Sequence, residues 1–308
     1  MSKMRVGVVG LGRLGSLHAK VYQESENCQL HAVCDIDETR LEQGLKELNV
    51  FGDSDYKNIF SKVDAVSITV PTKLHFPIAY DFLKHNIHVL VEKPITKNIR
   101  EAEALIKIAR KRNRVLQVGH IERFNSAFSS TKKIVSNPKF IECHRLSPFP
   151  NRSLDIGVVL DLMIHDIDII LGLINSKIKK IEAAGVSVLT EYEDIANARI
   201  TFKNGCVSNL TASRVSDEWL RKIRIFQKDT YISLDYRQAQ ASIYKKNGSE
   251  ITKNDLPIEK EEPLKKELES FLDCIINNKR PVVSGEVARE ALKVALKIKN
   301  QIWRKSIF

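Results

Sequence analysis

RVGVVGLGRLG, residues 5–15, decides how the first third of this chain folds. It runs from a short β-branched, apolar stretch into three glycines, Gly10, Gly12 and Gly15, spaced G-x-G-x-x-G. Glycine pairs are common in turns, so the spacing alone says little. The setting says more: a strand-like run precedes the glycines, a helical pattern follows, and Asp35 ends the next strand-like run about 20 residues after the last glycine. Each part has a physical reason. Gly10 permits a tight turn, Gly12 lets the backbone approach a pyrophosphate, and Gly15 allows close packing of helix on strand. The helix N-terminus supplies unpaired N–H groups to phosphate oxygens. Asp35 accepts from ribose hydroxyls and repels a 2′-phosphate, which favours NAD over NADP. Arg13, inside the loop, pulls the other way, because a guanidinium stacks on adenine or meets a phosphate. With Leu14 it completes the expected cofactor loop.

Outward from this stretch, short apolar runs alternate with amphipathic ones. RVGVV (5–9), LHAVCD (30–35), AVSITVP (65–71), HVLVEKP (88–94) and VLQVGH (115–120) read as strands. ETRLEQGLKEL (38–48) and IREAEALIKIARKR (99–112) read as helices between them. The expected first domain is therefore an α/β, doubly wound Rossmann domain over residues 1–121. From about residue 122 the pattern changes. A helix is expected through SAFSSTKKIVSN, then FIECHRLSPF (140–149), then a series of alternating strands with Asn204–Gly205 and Asn247–Gly248 as hairpin turns. Pro281 separates two closing helical patterns, LKKELESFLDCII and EVAREALKVALKIKNQIW. Residues 122–308 are expected to form an α+β domain on a mostly antiparallel open sheet.

Composition narrows the class. A length of 308 residues with 43% hydrophobic content suits two ordinary cores. No apolar run reaches the roughly 18 residues of a membrane span, and the N-terminus enters a strand directly, so neither a span nor a secretory signal is expected and the cytoplasm is the expected location. Five scattered cysteines without a CxxC pair argue for reduced thiols, against a disulfide framework and against a zinc site. The net charge of +11 is spread along the chain, which speaks for a solvated basic surface and an anionic ligand rather than nucleic acid.

LDLMIHDIDII, residues 160–170, sets three aspartates and a histidine in an apolar run, where buried charge needs a partner. On an α-helix Asp161, His165 and Asp168 share one stripe and Asp166 lies off it. One reading is a core histidine held by a carboxylate. The other is a catalytic pair.

Together with PTKLH (71–75), EKP (92–94) and the D-x-x-x-H-x-x-D stripe, the glycine loop resembles the glucose–fructose oxidoreductase, inositol dehydrogenase and rhizopine catabolism family (Gfo/Idh/MocA), in order and spacing from residue 4 to the C-terminus. GHIERFNS (119–126) followed by LDLMIHDID is similar to the branch that oxidises the 3-hydroxyl of UDP-N-acetylglucosamine or its uronic acid, with Ser126 where that branch usually carries proline. The resemblance implies that Thr72 and His75 line the cofactor side, that Arg123 and Asn125 line the substrate side, that the last helices of 122–308 pack back near the Rossmann domain, and that the C-terminal sheet joins subunits into a homodimer or homotetramer. Strand ends of a doubly wound sheet face the ligand crevice, which points Glu92 and Lys93 at the nicotinamide, Glu92 to carry its ribose. His165 suits the base that takes the hydroxyl proton, Asp161 orients it or holds a neighbouring sugar hydroxyl, and the Lys93 ammonium stabilises developing alkoxide. Arg123 is the expected contact for a substrate diphosphate.

The leading expectation is thus an NAD-dependent nucleotide-sugar dehydrogenase whose 3-keto product feeds an aminotransferase in lipid A or envelope glycan synthesis. Dehydrogenases of UDP-N-acetylglucosaminuronic acid, inositol or glucose are the nearest alternatives. An NAD-dependent glycosidase is disfavoured because such relatives are usually longer and exported, and a non-catalytic dinucleotide sensor because Lys93 and His165 are both present.

Overall fold

The computed structural model describes residues 3–149, 155–259 and 261–305. They form two compact units: residues 3–121 with Glu262–Arg289, and Glu122–Glu261 with residues 290–305.

In the first unit β1 (Met4–Val9), α1 (Arg13–Glu24), β2 (Cys28–Cys34), α2 (Glu38–Leu48), β3 (Phe51–Asp53), β4 (Ala65–Ile68), α3 (Thr72–Lys84), β5 (His88–Glu92), α4 (Ile99–Lys111) and β6 (Leu116–Gly119) follow one another. The six strands pair in parallel in the order β3-β2-β1-β4-β5-β6. That order reverses direction at β1 and β4, the switch point at which such sheets bind ligands beyond their carboxyl ends. Val6, Val8, Val33, Val66, Ile68, Val89 and Val91 are inaccessible, as strands covered on both faces require. β3 was not among the expected strands: three residues are too few to show a period. The strands expected over 65–71 and 88–94 stop at Ile68 and Glu92, which leaves Pro71 and Lys93 on the loops above the sheet.

The second unit begins with a 3-10 turn at Ile121–Phe124 and α5 (Ser126–Lys132), shorter than the helix expected over 126–137. β7 (Phe140–Leu146) follows, then a π-helical turn at Val159–Met163 running directly into α6 (Ile164–Leu173). β8 (Ile178–Val186), β9 (Ile195–Phe202), β10 (Val207–Ser213), β11 (Leu220–Gln227), β12 (Thr230–Asp235), β13 (Gln240–Asn247) and β14 (Glu250–Asp255) complete an eight-stranded sheet, ordered β14-β13-β12-β11-β7-β10-β9-β8. All its pairings are antiparallel except β7 with β10. Gly205 and Gly248 take φ of 86° and 63° in the turns after Asn204 and Asn247, where a left-handed residue closes the hairpin. One face buries Ile141, Cys143, Ile223, Ile225, Ile232, Leu234 and Ile243. On the other face Phe140, Phe226, Tyr231 and Tyr244 form a half-buried ladder with centroid separations of 5.7, 4.8 and 4.9 Å.

The closing helices are α7 (Pro263–Ile276) and α8 (Gly285–Lys305). The closing helices, which the resemblance places back near the Rossmann domain, divide between the two units. Leu268, Phe271 and Leu272 of α7 join the core made by Val8, Ala19, Tyr22, Leu30 and Val33, so Glu262–Arg289 belongs to the first unit. Cys28, Cys34, Cys143, Cys206 and Cys274 are all buried and unbridged. Among the described residues no helix is long and apolar enough to cross a membrane.

Candidate active site

The glycine loop has the shape its sequence requires. Gly10 sits at φ 93°, and a Cβ there would meet the Thr69 carbonyl oxygen at 2.9 Å. A Cβ on Gly15 would lie 1.7 Å from the Gly10 carbonyl oxygen, so the first turn of α1 can lie on the loop only because neither residue has a side chain. Gly12 is different. It is the N-cap of α1, no side chain caps that end, no acidic residue occupies its first turn, and a Cβ built on it would meet nothing within 4 Å. An uncapped helix N-terminus with open space above a bare backbone suits a pyrophosphate. Arg13 is exposed and Leu14 half-buried beside it. Asp35 is 6% exposed and does more than its spacing suggested: Oδ2 accepts from the Leu11 N–H at 2.5 Å and Oδ1 from the Asp37 N–H at 2.9 Å. It clasps the glycine loop, and the second lone pair of each oxygen remains for ribose hydroxyls. The residues present fit NAD.

Thr72, half-buried, opens α3 after Pro71. His75, one turn on, is 1% exposed, with Nδ1 2.8 Å from the Pro94 carbonyl oxygen and Nε2 2.8 Å from that of Val70. Burial pulls its pKa down against those two carbonyls. Both ring nitrogens face carbonyl oxygens, and the one that carries the proton donates, so His75 packs between the loop after β4 and the loop after β5. Glu92, the last residue of β5, folds its carboxylate over β6. Oε2 accepts from the Lys93 N–H at 3.2 Å, His18 Nε2 lies 3.4 Å from Oε1, and a Cβ on Gly119, the β6 residue paired with Glu92, would come within 2.6 Å of Oε1. Beneath lies Glu267 of α7, inaccessible, with neither carboxyl oxygen hydrogen-bonded among the described residues. Burial and the nearby Glu92 charge push its pKa well up. Lys93 is half-buried at the head of the following loop.

In the second unit the run that carries Asp161, His165 and Asp168 is helical throughout, but its first turn is π and not α. The wider turn moves Asp161 off the ideal 100° stripe. π turns recur at functional positions. Asp161 is 6% exposed and His165 half-buried. The other two aspartates are committed to ion pairs. Arg145, 3% exposed, donates from Nε and Nη2 to Asp166 at 3.0 and 2.9 Å and from Nη1 to Glu122 at 2.8 Å. Burial opposes the Arg145 charge, and the two carboxylates outweigh it and hold the pKa above its ordinary value. Arg123 donates from Nε and Nη2 to the Asp168 carboxylate at 2.5 and 3.0 Å and from Nη2 to the Asp168 carbonyl oxygen at 2.7 Å.

Two further expected site residues, Arg123 and Asn125, make structural contacts here. Arg123, its side chain 7% exposed, turns Nε and Nη2 to Asp168 and anchors the 3-10 turn to α6. Asn125 caps α5, Oδ1 accepting from the Ala127 N–H at 3.0 Å, while Nδ2 lies 3.4 Å from the Tyr236 carbonyl oxygen. It is a buried capping residue. Arg145 and Glu122 were missed; the only sequence signal for Arg145 was the need of Asp166 for a cation, and Glu122, the second carboxylate on that guanidinium, carried none. Among the described residues no group of three or more His, Cys, Asp or Glu could hold a metal ion.

Comparison with known proteins agrees with this architecture. Residues 4–120 match the model of an oxidoreductase family with an NAD-binding Rossmann fold, and residues 117–232 match the GFO/IDH/MocA C-terminal domain. The chain is 36% identical over 306 residues to UDP-N-acetylglucosamine 3-dehydrogenase of Acidithiobacillus ferrooxidans, covering 97% of each protein. It is 28% identical over 334 residues to myo-inositol 2-dehydrogenase of Thermotoga maritima, covering 98% of this chain and 97% of that one. A solved structure of the Acidithiobacillus enzyme superposes with a TM-score of 0.93 at 37% identity over 98% of both chains. Scyllo-inositol dehydrogenase of Lactobacillus casei, at 21% identity and a TM-score of 0.83 over 99% of this chain and 98% of its own, shares the fold. With a glycine loop clasped by Asp35, an Asp-His helix in the second unit and full-length similarity to such enzymes, the chain belongs to the Gfo/Idh/MocA family of NAD-binding oxidoreductases.

Proposed function

We propose that the protein oxidises the 3-hydroxyl of UDP-N-acetylglucosamine to a 3-keto nucleotide sugar. The observation that carries this reading is the 36% identity to a UDP-N-acetylglucosamine 3-dehydrogenase over 97% of both chains. Bound NAD supplies a hydride acceptor; the rest of the work falls to side chains. His165 takes the proton of the sugar hydroxyl as the carbinol hydrogen leaves with its electron pair, so a C–H and an O–H bond are lost and a C=O bond forms. Asp161, one turn earlier, orients the imidazole or holds an adjacent hydroxyl. Lys93 offsets the negative charge growing on the oxygen. Asp35 selects the unphosphorylated ribose, and Glu92 holds the second ribose.

The 3-keto product is a substrate for transamination, which fits a cytoplasmic supply of amino sugars for lipid A or envelope glycans. The half-buried aromatic ladder Phe140, Phe226, Tyr231 and Tyr244 supports a homodimer or homotetramer built on the outer sheet face. Oxidation of inositol is the second reading, favoured by the Thermotoga relative. The test is incubation with NAD and UDP-N-acetylglucosamine, its uronic acid, free N-acetylglucosamine, glucose and myo-inositol, scoring reduced nicotinamide and product mass, with an aminotransferase to draw off ketone. A UDP-sugar product lighter by two hydrogens without the aminotransferase, and with NH2 in place of one OH when it is present, supports the proposal. Turnover of inositol with every UDP-sugar inert overturns it.

A further inference from the structure

Glu193, between β8 and β9, is a charged residue with no accessible surface and no part in the chemistry described above. Its bonds converge on one place, the start of the helical run that carries Asp161 and His165. The Glu193 carbonyl oxygen accepts from the Val158 N–H at 2.9 Å, and Oε1 accepts from the Val159 N–H at 3.4 Å. Those are among the N–H groups that a helix leaves unpaired at its first turn. Oε2 accepts from Trp303 Nε1, near the end of α8, at 3.1 Å. The carboxyl occupies the space a side chain at position 157 would fill, since a Cβ on Gly157 would lie 2.1 Å from Oε1 and 2.2 Å from Cδ.

The neighbouring residues tighten the same grip. Arg214, inaccessible, donates from Nη1 to the Ile156 carbonyl oxygen at 2.9 Å, from Nε to Asp194 at 2.8 Å and from Nη2 to Thr190 at 2.8 Å. Asp194 Oδ2 in turn accepts from the N–H groups of Val188, Leu189 and Thr190 at 2.8, 2.6 and 2.9 Å. Residues 156–159 are therefore held by the carboxyl and carbonyl of Glu193 and by the Arg214 guanidinium, which Thr190 and Asp194 fix in place. Leu160 and Asp161 both donate to the Gly157 carbonyl oxygen at 3.1 Å, so the π turn starts from the gripped residue. A shift at 157–159 passes along this turn to Asp161, and one turn further to His165.

We propose that Glu193 is a positioning residue for the oxidation, fixing through Gly157, Val158 and Val159 the turn that sets where Asp161 and His165 point, with Trp303 locking the carboxyl in place. The assignment rests on the reading that Asp161 and His165 serve the reaction. Positional errors of an ångström in such groups cost up to about 100-fold in rate, and Glu193 lies in a different unit from the glycine loop. Losing it falls on turnover and spares the cofactor.

The experiment compares Glu193→Ala, Glu193→Gln and Trp303→Phe in the full chain. It records NAD affinity by calorimetry, kcat and KM for whichever substrate the wild-type protein oxidises, and amide hydrogen exchange over residues 157–165. Glu193→Ala is expected to lower kcat at least about tenfold with NAD affinity within twofold. Glu193→Gln keeps an acceptor oxygen and is expected to recover most of that loss. Trp303→Phe removes one hydrogen bond, keeps the ring, and is expected to lower kcat about threefold. Exchange at Val158 and Val159 is expected to quicken in all three. The exchange readout needs no substrate, so inactivity of the wild-type protein on every sugar would count against the proposed function and leave this inference tested. Unchanged exchange at 157–165 in Glu193→Gln and Trp303→Phe overturns it, as does wild-type kcat in Glu193→Ala, or in Trp303→Phe should the alanine variant fail to fold. A Gln variant as impaired as the Ala variant would also overturn it.

Discussion

Replacing Glu267 by glutamine should make the protein more stable, and by an amount that grows with pH. Glu267 is inaccessible, neither carboxyl oxygen has a hydrogen-bond partner among the described residues, and the charge nearest in kind is another carboxylate, Glu92. His18 and Tyr22 face this region from α1, His18 at 3.4 Å from Glu92 and Tyr22 bonded at 2.8 Å to Ser67, and Gln117 of β6 donates to the Glu267 carbonyl oxygen at 3.0 Å and not to its carboxyl. An isolated buried carboxylate is costly enough that the group keeps its proton. Burial, then the Glu92 charge, raise its folded pKa well above the ordinary value. In the unfolded chain a glutamate releases its proton near pH 4.3. Between those two pKa values the folded state binds the extra proton, so folding stability falls by about 1.4 kcal/mol for each pH unit. It is fully present below the unfolded pKa and lost as pH climbs toward the folded one. Glutamine has nearly the same shape and no proton to lose, and its unpaired amide costs roughly what the unpaired acid does. The difference between Glu267→Gln and wild type should therefore widen by about 1.4 kcal/mol from pH 5.5 to pH 6.5. Urea unfolding at fixed ionic strength, at half-unit steps over that range, measures it; taking the difference cancels the titrating groups that do not interact with Glu267. Parallel pH curves for the two proteins would mean that Glu267 is ionised and paired, and would refute the reasoning.

Other substitutions separate ligand-facing from structural roles. Asp35→Ala should weaken NAD about tenfold and narrow its advantage over NADP, because the ribose acceptor and the clasp on Leu11 disappear together; equal losses for both cofactors by calorimetry would leave only the clasp. His165→Ala and Lys93→Ala should each lower turnover at least about 100-fold, the scale for losing a positioned proton-transfer or charge-stabilising group, with His165→Ala leaving NAD affinity intact; near-normal turnover would return His165 to the core. Arg123→Ala should cost about 3–5 kcal/mol of stability by stranding Asp168 and leave KM for a UDP-sugar unchanged in the folded fraction, whereas a raised KM with normal stability would restore Arg123 as a phosphate contact.

How far these roles could be read from sequence follows the range over which the physics acts. The glycine loop was legible because tight turn, bare backbone and helix N-terminus are consecutive in the chain, and Asp35 because strand lengths fix its distance from the loop. The parallel strands were legible because double burial leaves continuous apolar runs. β3, with three residues, and β14, whose residues are all exposed, carry no period to read. The π turn at Val159–Met163 was invisible for a different reason. Its apolar residues are as compatible with an α turn, and the choice depends on how Ile156–Val159 are held by Glu193 and Arg214, which lie 34 and more residues further on in sequence.

The same distinction explains why the Arg123–Asp168 pair was not legible. An arginine two residues before a helix cap has the chemistry of a phosphate ligand, and sequence alone supplies no way to know that Asp168, 45 residues later, will claim it. The run LDLMIHDIDII contains three carboxylates and so demands cations, and two of them recruit Arg145 and Arg123 through bidentate contacts. A buried ion pair contributes little net stability compared with apolar packing, but removing one partner is severe. Two such pairs on neighbouring positions of α6 therefore oppose rotation of the helix about its axis, since turning it strands two aspartates at once. Asp161 and His165 stand on the part of the run just before these anchors, and Glu193 grips its other end. The carboxylate and imidazole proposed to act on substrate are thus bracketed by contacts that oppose slippage, which is what a base must have if it is to meet one hydroxyl of a sugar and not its neighbour.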